Sequence, residues 1–429
     1  MSELSFLLII INVFLLYKIC RDDRVHTMLK IVWCISYLGW SAIPLVLTSI
    51  PLFADMISVP MNLYLLYANV NQIALFLINL LAYTFIKKLS IPRLFINEDF
   101  QNTKKFNNAL FWICSLILVW IIYKLMTTSL GYRERNDVAN MSSDLSLGFM
   151  SLLEDFSVFI LLSQIIWQRD SFSKKKIFLS SALLSLYVLM QIYNGRRVYL
   201  FFFVIVLLYM SQNLKKKKYF LIALIVGGFS LWLLPIIATI RQVDRISTEN
   251  ITSADGGDAR AILSEIINKT NSVQYSCYLL EHDGIGTKGA TLYTSTLFAL
   301  IPRALFPEKP VPGSIDGTLS GIPARLNAIY HRRRYNDIEN NGITSSLEAL
   351  WAMGWGMYLL QILITGYLIF LFNGILCGGK PLFVYFMFSL IGFPVCVIDV
   401  SLVKVLLGVQ RYIFIYLLAK LFFNRKYQV

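Results

Sequence analysis

The residues most suited to chemistry are arginines in unusual places. Asn194-Gly195-Arg196-Arg197 is a very short polar turn between two apolar runs, so both guanidinium groups are expected at the depth of lipid phosphates. Arg241 follows a long apolar run, and Arg303 sits in Ile301-Pro302-Arg303-Ala304-Leu305-Phe306-Pro307-Glu308-Lys309-Pro310. A planar guanidinium fork binds phosphate through two parallel hydrogen bonds, which an ammonium group cannot match. Simple anchoring or pairing with nearby acids is the plainer role for any one of them. Arg411 lies inside the last apolar run, about seven residues, or roughly 10 Å, from its outer end. An intramembrane charge faces a partner or a wet cavity. Asp399 and Lys404 could supply an internal network as readily as Arg411 could bind a ligand.

A base is harder to find. The chain has 3 histidines, His26, His282 and His331. His331 opens His331-Arg332-Arg333-Arg334, where cationic neighbours favour the neutral, proton-accepting ring. Glu348 stands where a long polar stretch returns to an apolar run, a border at which a carboxylate can act as general base. A solvated or ion-paired side chain is the alternative for each. Other catalytic patterns are missing: no Asp-x-Asp pair, no His-x-x-x-His, no Walker loop and no Gly-x-Ser-x-Gly. Asp337-Ile338-Glu339 could ligate a metal, but that spacing arises easily by chance. No cofactor and no metal are expected.

These residues must be positioned by membrane helices. The 429 residues are 57% hydrophobic and only 15% charged, against about 45–50% and about 25% in soluble domains. Apolar runs fall near 4–18, 31–52, 64–86, 109–127, 147–167, 177–193, 198–213, 219–240, 349–374, 381–398 and 404–423. Most are long enough to cross about 30 Å of hydrocarbon as helix. Backbone groups in lipid must be satisfied within the segment, so the expected fold is all-α and polytopic, with about eleven transmembrane helices. The first run follows Glu3 without a basic n-region, so it is expected to stay as a span and not to be cleaved.

Basic residues orient the chain. Lys18, Arg21, Arg24 and Lys30 form one group, Lys87, Lys88, Arg93, Lys104 and Lys105 a second, and Lys174, Lys175 and Lys176 with Arg169 a third. Lys215 to Lys218, Lys380, Arg425 and Lys426 continue the series, while alternate loops are poor in Lys. The positive-inside rule then puts the N-terminus outside and the C-terminus in the cytoplasm. Three regions result: helices one to eight over 1–240, a large outer loop over 241–347, and helices nine to eleven with a cytoplasmic tail over 348–429. The loop carries as many acids as bases, so the net charge of +14 is a topological signal and not a nucleic-acid footprint. A loop this long must hold structure of its own. Helices over 258–280, with Asp258 as N-cap, and over 291–301, ended by Pro302, are expected to lie on or dip into the outer bilayer surface. The 6 cysteines lie mostly in apolar runs, as do Cys34, Cys114 and Cys396, without a Cys-x-x-Cys. Neither a disulfide framework nor a zinc site is expected.

The stretch from Ile301 to Pro310 resembles the motif in the large periplasmic loop of Wzy-type O-antigen polymerases. Gly342-Ile343-Thr344 through Glu348, followed by Gly354-Trp355-Gly356, is similar to that family's junction between loop and helix, and Asn194-Gly195-Arg196-Arg197 to its short arginine turn. The resemblance covers the whole layout, which these polymerases share with O-antigen ligases. It implies a GT-C-like fold in a bacterial inner membrane and metal-independent glycosyl transfer at the periplasmic face. The growing glycan would leave undecaprenyl diphosphate for the sugar of an incoming lipid-linked unit. Arg196, Arg197, Arg241 and Arg303 would stabilise the departing diphosphate, with Arg411 a further binding candidate, and Glu348 or His331 would take the proton. A Wzz-type chain-length regulator is an implied partner. An O-antigen ligase, or a lipid-linked oligosaccharide flippase, remains the alternative. A flippase would need charges along the midplane of the bundle, whereas the polar residues here concentrate in one outer loop.

Overall fold

The computed structural model describes residues 3–48, 50, 59–89, 104–127, 157–158, 161, 173–193, 221–222, 225, 272–286, 293 and 344–377. All regular structure among them is helical. The elements are α1 (Glu3–Arg21), α2 (Thr27–Tyr37), a π-helical turn (Leu38–Ala42), α3 (Ile43–Leu47), α4 (Met61–Lys88), α5 (Lys104–Thr127), α6 (Lys174–Tyr193), α7 (Ser272–Asp283) and α8 (Ser345–Cys377). Three segments, Glu3–Arg21, Met61–Lys88 and Ser345–Gly374, are long and apolar enough to cross a bilayer. Their outward faces carry large apolar side chains such as Phe6, Phe14, Leu66 and Leu359, as expected of helices solvated by lipid.

Helices α1 to α4, α7 and α8 to Gly374 lie in one compact unit. Charge placement favours their ends: Glu3 is in the first turn of α1, with Lys18 and Arg21 in its last, and Lys87 and Lys88 close α4. Acid at a helix N-terminus and base at its C-terminus both oppose the macrodipole. The π turn precedes Pro44, which has no N–H for the carbonyl four residues earlier. The Ile43 N–H reaches back five residues to Leu38 O instead, and the helical path continues from Thr27 to Leu47.

Polar side chains inside this unit fix the direction of each helix. Ser5 Oγ donates to Asn69 Oδ1 at 2.7 Å, and Tyr83 OH donates to Asp22 Oδ2 at 3.1 Å, so α1 and α4 run parallel. Trp33 Nε1 donates to Asn79 Oδ1 at 2.6 Å while Tyr37 OH reaches Gln72 Oε1 at 3.1 Å, so α2 runs the other way. Gln72 Nε2 donates to Ser41 Oγ, and Asn12 Nδ2 donates to Gln72 O and Oε1. Helix α8 is parallel to α4: Tyr358 OH donates to Val70 O at 2.8 Å, and Tyr367 and Phe370 meet Phe85 edge-on. Gly366 lets the two backbones approach, since a Cβ there would stand 3.1 Å from Leu81 Cβ. The Asn12–Gln72–Asn79 network is uncharged, and such contacts hold membrane helices together at about 0.6 kcal/mol each on average.

In the second unit, α5 and α6 pack with their N-termini together. Lys176 Nζ donates to Asn108 Oδ1 at 2.6 Å and lies 5.6 Å from the centre of the Phe111 ring. Phe111, Cys114 and Leu118 of α5 are buried, as is Tyr187 of α6.

The structure differs from the sequence expectation at one helix start. Helix α8 begins at Ser345, before the apolar run, because its first polar turn is packed inside the protein. Within 241–347, the described helix is Ser272–Asp283, and its Ser272 to Cys277, Leu279 and Leu280 are all buried. Asp258 and the stretch 294–301 lie outside the described residues.

Candidate functional site

The site is built where α8 breaks. Gly354 has φ 76° and ψ −164°, a conformation open in practice only to glycine, and it divides α8 into a short first segment and a long second one. Every residue from Ser345 to Ala352 is buried, and Leu347, Ala349, Leu350 and Trp351 have no exposed surface at all. Immediately beyond, Met353 and Trp355 are exposed. The first segment is thus a short helix enclosed by protein, and the second exposes large apolar side chains such as Leu359 and Leu363.

A break leaves backbone carbonyls of the first segment without helical partners. One of them, Trp351 O, accepts from Gly286 N–H at 3.0 Å. Gly286 also has a positive φ of 76°, and a Cβ there would contact Gly354 N at 3.5 Å. Trp351 Nε1 donates to Asp283 Oδ2 at 3.3 Å, while Asp283 Oδ1 pairs with His282 Nδ1 at 2.9 Å. The C-terminal end of α7 is clasped to the break in α8 through these contacts.

The start of α8 meets α7 as well, near Ser276. Thr344 N–H donates to Ser276 Oγ at 3.3 Å, and Ser276 Oγ donates to Ser272 O at 3.0 Å. Ser346 Oγ donates to Asn71 Oδ1 of α4 at 2.9 Å. Glu348 N–H closes the first turn on Thr344 O at 2.8 Å. Thr344 and Glu348 are therefore one turn apart, on the same side of the helix. Glu348 is only 5% exposed. The hydroxyl oxygens of Ser272 and Thr344 are buried without a hydrogen-bond partner. Such orphaned groups are uncommon in native proteins and mark a bound water, a ligand or a functional role.

Two neighbours report a low-polarity setting. Burial, with the Glu348 charge adding to it, pushes the Tyr293 phenol well above its ordinary range. Burial, reinforced by Glu281 and partly offset by a backbone hydrogen bond, pushes the Cys277 thiol up to about 12. Tyr293 is thus a neutral donor beside a carboxylate, and Cys277 is an inert thiol at neutral pH.

Of the residues singled out by sequence, the structure places Glu348 at this junction. Arg196, Arg197, Arg241, Arg303, Arg411 and His331 lie outside the described residues, as do Asp337 and Glu339. Among the described residues, no group of three or more His, Cys, Asp or Glu side chains is placed to hold a metal ion. Compared with known proteins, the chain matches no family model, no curated protein and no solved structure. Function rests on the site itself.

A buried carboxylate with the Thr344 hydroxyl one turn before it and a neutral phenol nearby can accept a proton from a polyhydroxylated ligand and orient its other hydroxyls. The sequence reading missed Ser272, Ser276, Thr344 and Tyr293. The run Thr344-Ser345-Ser346 directly before an apolar span was a visible signal for part of this set. Ser272 and Ser276 gave none, because they reach the site only through the packing of α7 on α8.

Proposed function

We propose that this chain is a polytopic inner-membrane polymerase of lipid-linked sugar repeat units, acting at the outer membrane face. The observation that carries the reading is Glu348, a carboxylate buried in the first turn of a broken helix, one turn after Thr344, whose buried hydroxyl has no hydrogen-bond partner. Glu348 takes the proton of the acceptor hydroxyl as that oxygen bonds to the anomeric carbon. The bond from anomeric carbon to diphosphate breaks in the same transfer, and undecaprenyl diphosphate leaves. Ser272, Thr344 and Tyr293 hold neighbouring sugar hydroxyls. Arg196, Arg197, Arg241 and Arg303 stabilise the departing diphosphate, where negative charge accumulates. Because Glu348 is enclosed, the glycan reaches it when α7 parts from α8 at the Gly286–Trp351 clasp.

The eleven-span layout is supported by helix directions. With the basic ends of α1 and α4 on the cytoplasmic side, α1, α4 and α8 all descend from the outer face and α2 rises. The parallel α5 and α6 fit two rising spans. Among the described residues, the polar network at mid-depth of α1, α2 and α4 is uncharged, whereas a flippase would need charges there. A chain-length regulator remains a proposed partner.

The lipopolysaccharide ladder of a deletion strain tests the reading. A polymerase leaves a single repeat unit on the lipid and removes the ladder. Loss of all O-antigen would overturn the proposal in favour of a ligase or a flippase. Arg303→Lys tests the diphosphate fork: the ladder fails nearly as badly as with Arg303→Ala if two parallel hydrogen bonds are needed, and a full ladder excludes the fork.

A further inference from the structure

Two thiols from different helices meet where α1 hands over to α2. Cys20 Sγ and Cys34 Sγ stand 3.3 Å apart, near enough for one thiol to hydrogen-bond the other. Both are free and both are partly exposed. Lys30 of α2 is near enough for its charge to act on Cys20, and reactive cysteines favour electropositive, partly exposed surroundings of this kind. The turn between the two helices is held in place. Asn373 Oδ1 accepts from His26 N–H at 2.8 Å, and Asn373 Nδ2 donates to Arg24 O at 2.9 Å. A disulfide needs its sulfurs about 2.05 Å apart, so a shift of little more than about 1 Å closes the pair.

We propose that Cys20 and Cys34 are a redox-active dithiol that a hydroperoxide converts reversibly into a disulfide tying α1 to α2. The Cys20 thiolate attacks the peroxide, the O–O bond breaks, and water or an alcohol leaves, giving a sulfenic acid on Cys20. The Cys34 sulfur then attacks the Cys20 sulfur, the S–O bond breaks and a second water leaves. The two sulfurs supply the two electrons that reduce the peroxide. A small dithiol reductant returns two electrons and two protons and restores both thiols. This site is separate from the proposed glycosyl transfer and stands or falls without it.

The full-length protein in native membranes is treated with hydrogen peroxide, alkylated, digested without reduction and read by mass spectrometry. Expected are a linked peptide joining Cys20 to Cys34, loss of both from the alkylated pool, and their return with dithiothreitol. The buried Cys114 and Cys277 stay unchanged. In Cys34→Ser the linked peptide is missing and dimedone traps a sulfenic acid on Cys20. Survival of both thiols after peroxide overturns the proposal, as does a Cys20 bridge between two copies of the chain.

Discussion

The two ends of the α1–α4–α8 unit handle polar groups in opposite ways. At the basic end, charges are kept near water and shared. Arg24 pairs with Asp22 at 3.3 Å with its side chain 58% exposed. Lys18, Arg21 and Lys87 lie over the rings of Phe14, Tyr17 and Tyr83. An open cleft of about 620 Å³ runs between these side chains. At the other end, where α7 meets α8, Glu348 is enclosed and two hydroxyls have no partner. Exposed pairs of the first kind contribute about 0–1 kcal/mol and serve to anchor a helix end at an interface. Buried hydroxyls without a partner are costly, and folds retain such groups where they serve a function. On the proposed reading, the contrast separates an end that orients the protein from an end that acts.

The largest effects on stability are expected at the acting end. Trp351 is fully buried whereas Trp355, four residues on, is 54% exposed. Trp351→Ala should cost about 3–5 kcal/mol, read as a lowered thermal midpoint in detergent, while Trp355→Ala stays near wild type. Equal effects would mean that the first segment of α8 is not enclosed. Next come the two glycines of the break. Gly354→Ala forces a side chain into a positive-φ position and should destabilise by about 1–3 kcal/mol. Gly356 is helical and a Cβ there meets nothing within 4 Å, so Gly356→Ala should be neutral or stabilising by up to about 1 kcal/mol. Opposite signs from two glycines of one motif are the signature of a break confined to residue 354.

The effect at the basic end depends on pH. Burial, with the Lys30 charge adding to it, holds the His26 imidazole down to about 4, from an ordinary value of 6.5. Its Nδ1 accepts from Met28 N–H at 3.3 Å and caps α2, which requires an unprotonated ring nitrogen. The unfolded chain therefore binds a proton between about 6.5 and 4 that the folded chain does not. This contribution is full above about pH 6.5 and is lost as the pH falls toward 4. His26→Gln should flatten the stability profile in that window, and an unchanged slope would remove His26 from the account.

Apolar run length alone made α1, α4 and the long part of α8 legible in the sequence. The start of α8 was not, because Ser345, Ser346 and Glu348 look like loop residues and are polar for a reason other than solvent. The π turn before Pro44 depends on which carbonyl finds a partner, which no local pattern states. Gln72 and Asn79, seven positions apart in an apolar run, did carry a readable sign of a shared helix face. Glu348 was legible as a border carboxylate, whereas Tyr293 comes to it, and Ser276 to Thr344, from other segments. Cys20 and Cys34 likewise sit on different helices, and only the α1–α2 turn joins them.

The central claim is that the enclosed carboxylate of α8 is the base. Glu348→Gln keeps shape and hydrogen bonding and removes basicity. The direct measurement is the polysaccharide ladder of a strain carrying Glu348→Gln, with membrane protein level and lipid-linked repeat unit quantified alongside. The account predicts no ladder with both controls at wild-type level. A normal ladder from Glu348→Gln, with loss of the ladder in His331→Ala, would contradict it and pass the proton to the histidine.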